Sequence, residues 1–245
     1  MPADRRHLRR VVAGDRPYDP HAWPFALPAV AQVLSNGLEV APGVTLLVGE
    51  NGSGKSTLVE AIAAIYPRRG AQSAENLLGP GPSGEDSPLS QHLRAETHPM
   101  ASPQGFFLRA ELMHSYLARA DADAQRQSRA WGGERLAARS HGESFLAVLR
   151  HRFTDIGFYV LDEPESALSF RSCLGLVALL DDLRREGSQV LCATHSPLLA
   201  SLPGATLLEV GEHGIREVAY DDLDLVRDWR GFLAAPERYL RHLLS

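Results

Sequence analysis

Four short stretches of this 245-residue sequence carry residue types that could do chemistry together. The first is Gly49-Glu50-Asn51-Gly52-Ser53-Gly54-Lys55-Ser56-Thr57, which satisfies the pattern G-x-x-x-x-G-K-[ST]. Glycines at this spacing let successive backbone N–H groups wrap around phosphate oxygens, and a helix starting behind them adds its positive end. Lys55 is placed to reach the β- and γ-phosphates of a nucleotide, and the Ser56 hydroxyl to ligate Mg2+. The second stretch, Phe158-Tyr159-Val160-Leu161-Asp162-Glu163, delivers two adjacent carboxylates at the end of an apolar run. Asp162 would hold Mg2+ through water, and Glu163 would orient or deprotonate the water that attacks the γ-phosphate. In the third, Ala193-Thr194-His195-Ser196, the imidazole could contact the γ-phosphate and that water. The fourth, Ser140-His141-Gly142-Glu143, opens a helix whose first N–H groups and Ser140 hydroxyl suit an anion. The plainer reading of this last stretch is an N-cap with Glu143 as a first-turn acid.

The elements that must position these residues are legible as alternating apolar runs and amphipathic segments. VTLLVGE, within a strand read over 38–50, feeds the glycine-rich turn as a buried parallel strand does. Residues 56–66 are helical in spacing, and Pro67 ends the helix. Further strands are expected at 8–14, 105–111, 157–163 and 188–195, with a Pro-rich connection after the first. Helices are expected at 112–127, 142–153 and 169–187, the last closed by Gly187. Residues 67–104, rich in Gly, Pro and Ser, read as mostly loop, and 205–220 as a hairpin followed by two short helices. Such alternation predicts a mainly parallel α/β sheet flanked by helices, in which ligands bind beyond the carboxyl ends of the strands. The chemical residues that follow a strand all fall at such an end.

Composition narrows the partners. The chain is 44% hydrophobic and 22% charged, with 25 basic against 30 acidic residues and a net charge of −5. A generally basic surface for nucleic acid is therefore absent, although Arg5, Arg6, Arg9, Arg10 and Arg16 make the first segment locally basic. That segment reads either as a solvated strand edge or as a nucleic-acid arm. Cys173 and Cys192 sit in apolar runs without metal-site spacing, as buried thiols of a reducing compartment do. No apolar run reaches membrane-spanning length and no secretory leader is evident, so a cytoplasmic location is expected.

The four stretches, in this order, resemble the ABC-type ATPases across about residues 38–210. Gly49–Thr57 matches their Walker A, Tyr159–Glu163 their Walker B with its catalytic glutamate, and His195 their switch histidine. Ser140-His141-Gly142-Glu143 corresponds to the Ser-Gly-Gly-Gln of their signature, and Glu165–Ser169 to their D-loop. His141 and Glu143 depart from the usual signature. Together with GFFLRAE and YDPHAWPFALPAV they look more like the small bacterial ATPases of the AAA group, akin to the SMC, RecF and overcoming-lysogenization-defect ATPases, than like transporter subunits.

The resemblance implies one P-loop domain of ABC type over 1–245, with a small antiparallel β part and a short helical subdomain carrying the signature within about 67–141. It implies ATP and Mg2+, nucleotide contacts from Glu50 to Thr57, and metal contacts from Ser56, Asp162 and a third-strand residue. For that last role Glu111 lies at the correct end of its strand and Gln104 at the wrong one. It further implies an ATP-dependent head-to-tail homodimer in which Ser140 to Glu143 act on the partner's nucleotide, hydrolysed by Glu163 with His195. Tyr18, His21 and Trp23 are candidates to stack on adenine. The protein that the cycle moves is not specified. The alternatives are the ATP-binding subunit of a transporter, touching the membrane only through a partner subunit, and a DNA-repair or phage-defence ATPase, which the charge does not indicate. A P-loop kinase fits least, because Glu163 directly after Asp162 suits water activation.

Overall fold

The buried apolar run Val44–Val48 forms strand β3 in the middle of a six-stranded sheet, in a computed structural model that describes residues 6–67, 87–109, 141–153, 155–241 and 243–244. Before it come β1 (Leu8–Ala13), helix α1 (Pro28–Asn36) and β2 (Leu38–Glu39). After it come α2 (Lys55–Ile65), β4 (Leu93–Thr97), β5 (Gly105–Arg109), α3 (His141–Arg152), β6 (Phe158–Asp162), α4 (Phe170–Glu186) and β7 (Gln189–Thr194). The chain continues through α5 (Pro197–Ala200), β8 (Thr206–Gly211), β9 (Gly214–Glu217), α6 (Asp224–Ala234) and α7 (Pro236–Leu240).

The large sheet runs β5-β6-β7-β3-β8-β9, parallel except for β9. Successive residues of each strand face opposite sides. Leu46, Leu161 and Cys192 pack with Phe145, Leu149, Leu176 and Leu180 of α3 and α4. Leu47, Val160 and Leu191 pack with Val30, Val33, Leu58 and Ile62 of α1 and α2. Both faces being covered accounts for the unbroken apolar runs of β3, β6 and β7. Parallel register aligns the carboxyl ends: Val48 pairs with Thr194, and Asp162 with Ala193 and Arg109.

A second sheet, β2-β1-β4, is antiparallel. Buried Gln189 stitches it to the first: its Oε1 accepts from the N–H groups of His7 and Leu8, both at 2.8 Å, and its Nε2 donates to Leu8 O and Ala41 O, both at 2.9 Å.

Three local expectations change. The strand read over 38–50 is two strands in different sheets, separated at Pro42-Gly43. The connection after β1 contains α1, which Pro28 starts by its pre-set φ in the first turn. The stretch 67–104 is not all loop, because Pro88–His92 forms a 3-10 turn and β4 pairs with β1. LRAET is short and half polar, and only the partner strand makes it a strand. The helix read over 112–127 lies outside the described residues.

Candidate phosphate-binding site

Each chemical residue enters the site from a strand's carboxyl end. The turn after β3 runs against β8 so closely that a Cβ on Gly49 would lie 2.1 Å from Val210 O, so only glycine fits there. The turn leads into α2, whose first residue is Lys55. Lys55 is 3% exposed, and its Nζ donates to Glu50 O at 2.8 Å, folding back onto its own loop. Burial pulls its pKa down, against the opposing pull of Glu163, Asp162, Glu165 and Glu50. The next residue, Ser56, donates from its hydroxyl to Asp162 Oδ1 at 3.0 Å.

Asp162 closes β6 and is buried. Desolvation pushes its carboxyl up to about 6, while the bond from Ser56 works the other way. Arg109, at the end of the neighbouring strand, holds its Nε 4.0 Å from Asp162 Oδ2 and pairs through its Nη2 with Glu60 of α2. Arg109 belongs to none of the sequence motifs; its one signal is its place as the last residue of a strand beside the acidic one.

Glu163 takes the left-handed conformation (φ 47°, ψ 50°), the one non-glycine at positive φ among the described residues. Backbone strain of this kind costs on the order of 1–3 kcal/mol and collects at functional sites. Its N–H donates to Ala193 O at 2.9 Å. Its side chain lines a cleft of about 320 Å3 with Trp23, Asn51, Lys55, Ser56 and Thr57. A wider cleft of about 910 Å3 on the β8 side is lined by Glu50 to Ser53, His195, Glu212 and Trp229 among others. His195 lies after β7, its Nδ1 3.6 Å from Glu163 Oε1 and 3.7 Å from Glu165 Oε1.

The structure thus brings together the segment from Glu50 to Thr57 with Asp162, Glu163 and His195. Trp23 is 68% exposed and lines the smaller cleft, whereas Tyr18 packs on Phe25 with ring centroids 4.9 Å apart. Gln104 precedes β5, and its carbonyl accepts from Phe158 N, at the opposite end of the sheet from Asp162. Glu111 and Ser140 lie outside the described residues, as do the side chains of His141 and Glu143. Gly142, in the first turn of α3, is among the lining residues of neither cleft. It abuts α4, where an added Cβ would stand 2.4 Å from Ser172 Oγ. Ser172 in turn bonds to Ser169 Oγ at 3.0 Å.

The residues present fit a divalent cation beside phosphates. A hydroxyl and a buried carboxylate already face each other at 3.0 Å, and a carboxyl held up by burial is one that a cation would relieve.

Two family models match the chain: "AAA domain" at residues 34–66, and "AAA domain, putative AbiEii toxin, Type IV TA system" at residues 136–201. Among curated relatives, a ribose import ATP-binding protein RbsA of Bacillus cereus is 25% identical over 210 residues, covering 74% of this chain and 41% of the relative. The RbsA of a Jannaschia species is 29% identical over 189 residues, covering 69% of this chain and 36% of the relative. The chain therefore spans about two fifths of the length of these relatives. In fold it is similar to a chain of a "putative metal-chelate type ABC transporter" in an inward-facing conformation (TM-score 0.50, 15% identity, 87% of this chain and 84% of that one). The matched family models and curated relatives support an ABC-type ATPase of the AAA kind, and the solved structure supports its α/β fold. Among the described residues no helix is long and apolar enough to cross a membrane.

Proposed function

We propose that this chain is one ABC-type ATPase domain that binds ATP with Mg2+ and hydrolyses it as a head-to-tail homodimer in the cytoplasm. The observation that carries the reading is the Ser56–Asp162 bond, because it joins the phosphate loop to the acidic strand end at the place where a nucleotide's cation belongs. Ser56 and Asp162 would hold Mg2+, with Glu111 as the third contributor; the cation supplies charge neutralisation at the β- and γ-phosphates.

The chain's own residues would do the rest. Backbone N–H groups from Glu50 to Thr57 bind phosphate oxygens, and Lys55 leaves Glu50 O for the phosphates. Trp23 offers an exposed aromatic face to adenine. Glu163 takes the proton of the attacking water, and His195 orients that water. Ser140 and Gly142 with their neighbours serve the partner's nucleotide, a role supported by the resemblance of Ser140-His141-Gly142-Glu143 to the family's signature.

Phosphate release and light scattering on purified chain test this reading. The parent should hydrolyse ATP, and Glu163→Gln should bind ATP, lose at least about 100-fold in rate and accumulate as a dimer. An unchanged rate in that variant defeats the reading. The RbsA relatives favour a second reading, an ATP-binding subunit whose partner lies in the membrane. Co-purification with a membrane-spanning protein supports it; DNA-stimulated, salt-dependent hydrolysis supports a nucleic-acid partner instead.

A further inference from the structure

Glu165 is a carboxylate only 8% exposed, two residues beyond Glu163. Its Oε1 accepts from the Thr194 hydroxyl at 2.6 Å and from His195 N at 2.8 Å. The Thr194 oxygen accepts in turn from Ser196 N at 3.0 Å. Ser196 then caps α5, its hydroxyl accepting from Leu199 N at 3.5 Å. One carboxylate oxygen therefore organises the whole turn from β7 to α5, and the imidazole of His195 stands between it and Glu163. The backbone bond from Glu163 N to Ala193 O closes the same junction on the other side.

A buried carboxylate is a costly anchor. Its Oε2 makes no hydrogen bond among the described residues, so half of its acceptor capacity is desolvated without return. A neutral side chain could cap this turn at lower cost. What the carboxylate adds is charge-assisted bonds, which are shorter and about twice as strong as neutral ones, and which here hold the backbone that carries the ring. Glu165 is also unsuited to activate water itself, because its Oε1 is committed to two donors and its side chain is buried, whereas the Glu163 side chain is 30% exposed.

We propose that Glu165 is the positioning residue for His195: it clamps the turn so that the imidazole is presented beside Glu163 at the γ-phosphate. This rests on the ATPase reading above, with His195 acting on the attacking water. Displacing a reacting group by about 1 Å can cost on the order of 100-fold in rate without touching binding. Glu165→Ala should therefore lower kcat by about 10- to 100-fold and leave the Kd for ATP within about two-fold.

The deciding experiment is a double-mutant cycle on the full chain, with kcat from phosphate release, Kd from nucleotide titration and Tm from thermal unfolding. His195→Ala and Glu165→Ala should each slow hydrolysis, and the double variant should be no slower than His195→Ala alone. If Glu165→Ala does not fold, Thr194→Val takes its place in the cycle; it removes one of the clamp's two bonds, and its smaller loss should likewise vanish in the His195→Ala background. If His195→Ala hydrolyses at the parent rate, the role given to His195 falls and the clamp with it. If His195→Ala is slow but the Glu165 or Thr194 variants keep the parent rate, lose ATP affinity in step with kcat, or multiply with His195→Ala, only the clamp is overturned.

Discussion

The Ser56 hydroxyl and the Asp162 carboxylate, 106 positions apart, meet at 3.0 Å. This bond ties the start of α2 to the end of β6 and leaves Asp162 buried at the floor of the phosphate site.

Asp162 should make the nucleotide-free protein less stable as pH rises. Burial lifts its folded pKa to about 6 from 3.8. Between those values the folded chain holds a proton that the unfolded chain has lost, so this group's contribution falls through that window. A rise of this size corresponds to roughly 3 kcal/mol by pH 7. Asp162→Asn should gain about 1–3 kcal/mol over the parent in urea unfolding at pH 7.5, and little at pH 4. An equal gain at both pH values contradicts the burial penalty.

Lys55 donates to Glu50 O, so its ammonium is a preformed donor that needs only to change acceptor when phosphate arrives. Charge-assisted bonds contribute about 1.5–3 kcal/mol. Calorimetric titration of Lys55→Ala with Mg-ATP should show affinity lower by about 10- to 100-fold.

Trp23 and Tyr18 should separate in their effects. Trp23→Ala should weaken ATP by about 10-fold, the value of one aromatic–base stack, and leave inorganic triphosphate unaffected. Tyr18→Ala should lose about 1 kcal/mol of stability with ATP affinity intact, since its ring packs on Phe25 and His92. Tryptophan fluorescence during titration reads the first, thermal unfolding the second.

Gly142→Ala should destabilise the chain by about 1–3 kcal/mol, because the new methyl would meet Ser172 Oγ at 2.4 Å. Adding Ser172→Ala should return part of that loss. Thermal unfolding of the single and double variants measures both.

Much of the site was legible because it lies where apolar runs stop. The ends of VTLLV, FYVLD and VLCAT mark β3, β6 and β7, and Lys55, Asp162 and His195 lie at or just beyond those strand ends. What the sequence withheld depends on distant partners. β4 is a strand only because β1 pairs with it, and α1 hides behind a proline that reads as a breaker until it is seen to be the helix's first residue. Arg109 belongs to no motif, and the D-loop match that contains Glu165 gives no sign of the bonds its carboxylate makes. Their settings come from Asp162 on the adjacent strand and from Thr194, 29 positions away.

Gln189 joins the small sheet to the large one with bonds to His7, Leu8 and Ala41. Trp23 hangs from the segment that follows β1, and the phosphate loop from β3. The glutamine is therefore a rivet: the segment that bears Trp23 and the phosphate loop hang from two different sheets, and one buried side chain pins those sheets together.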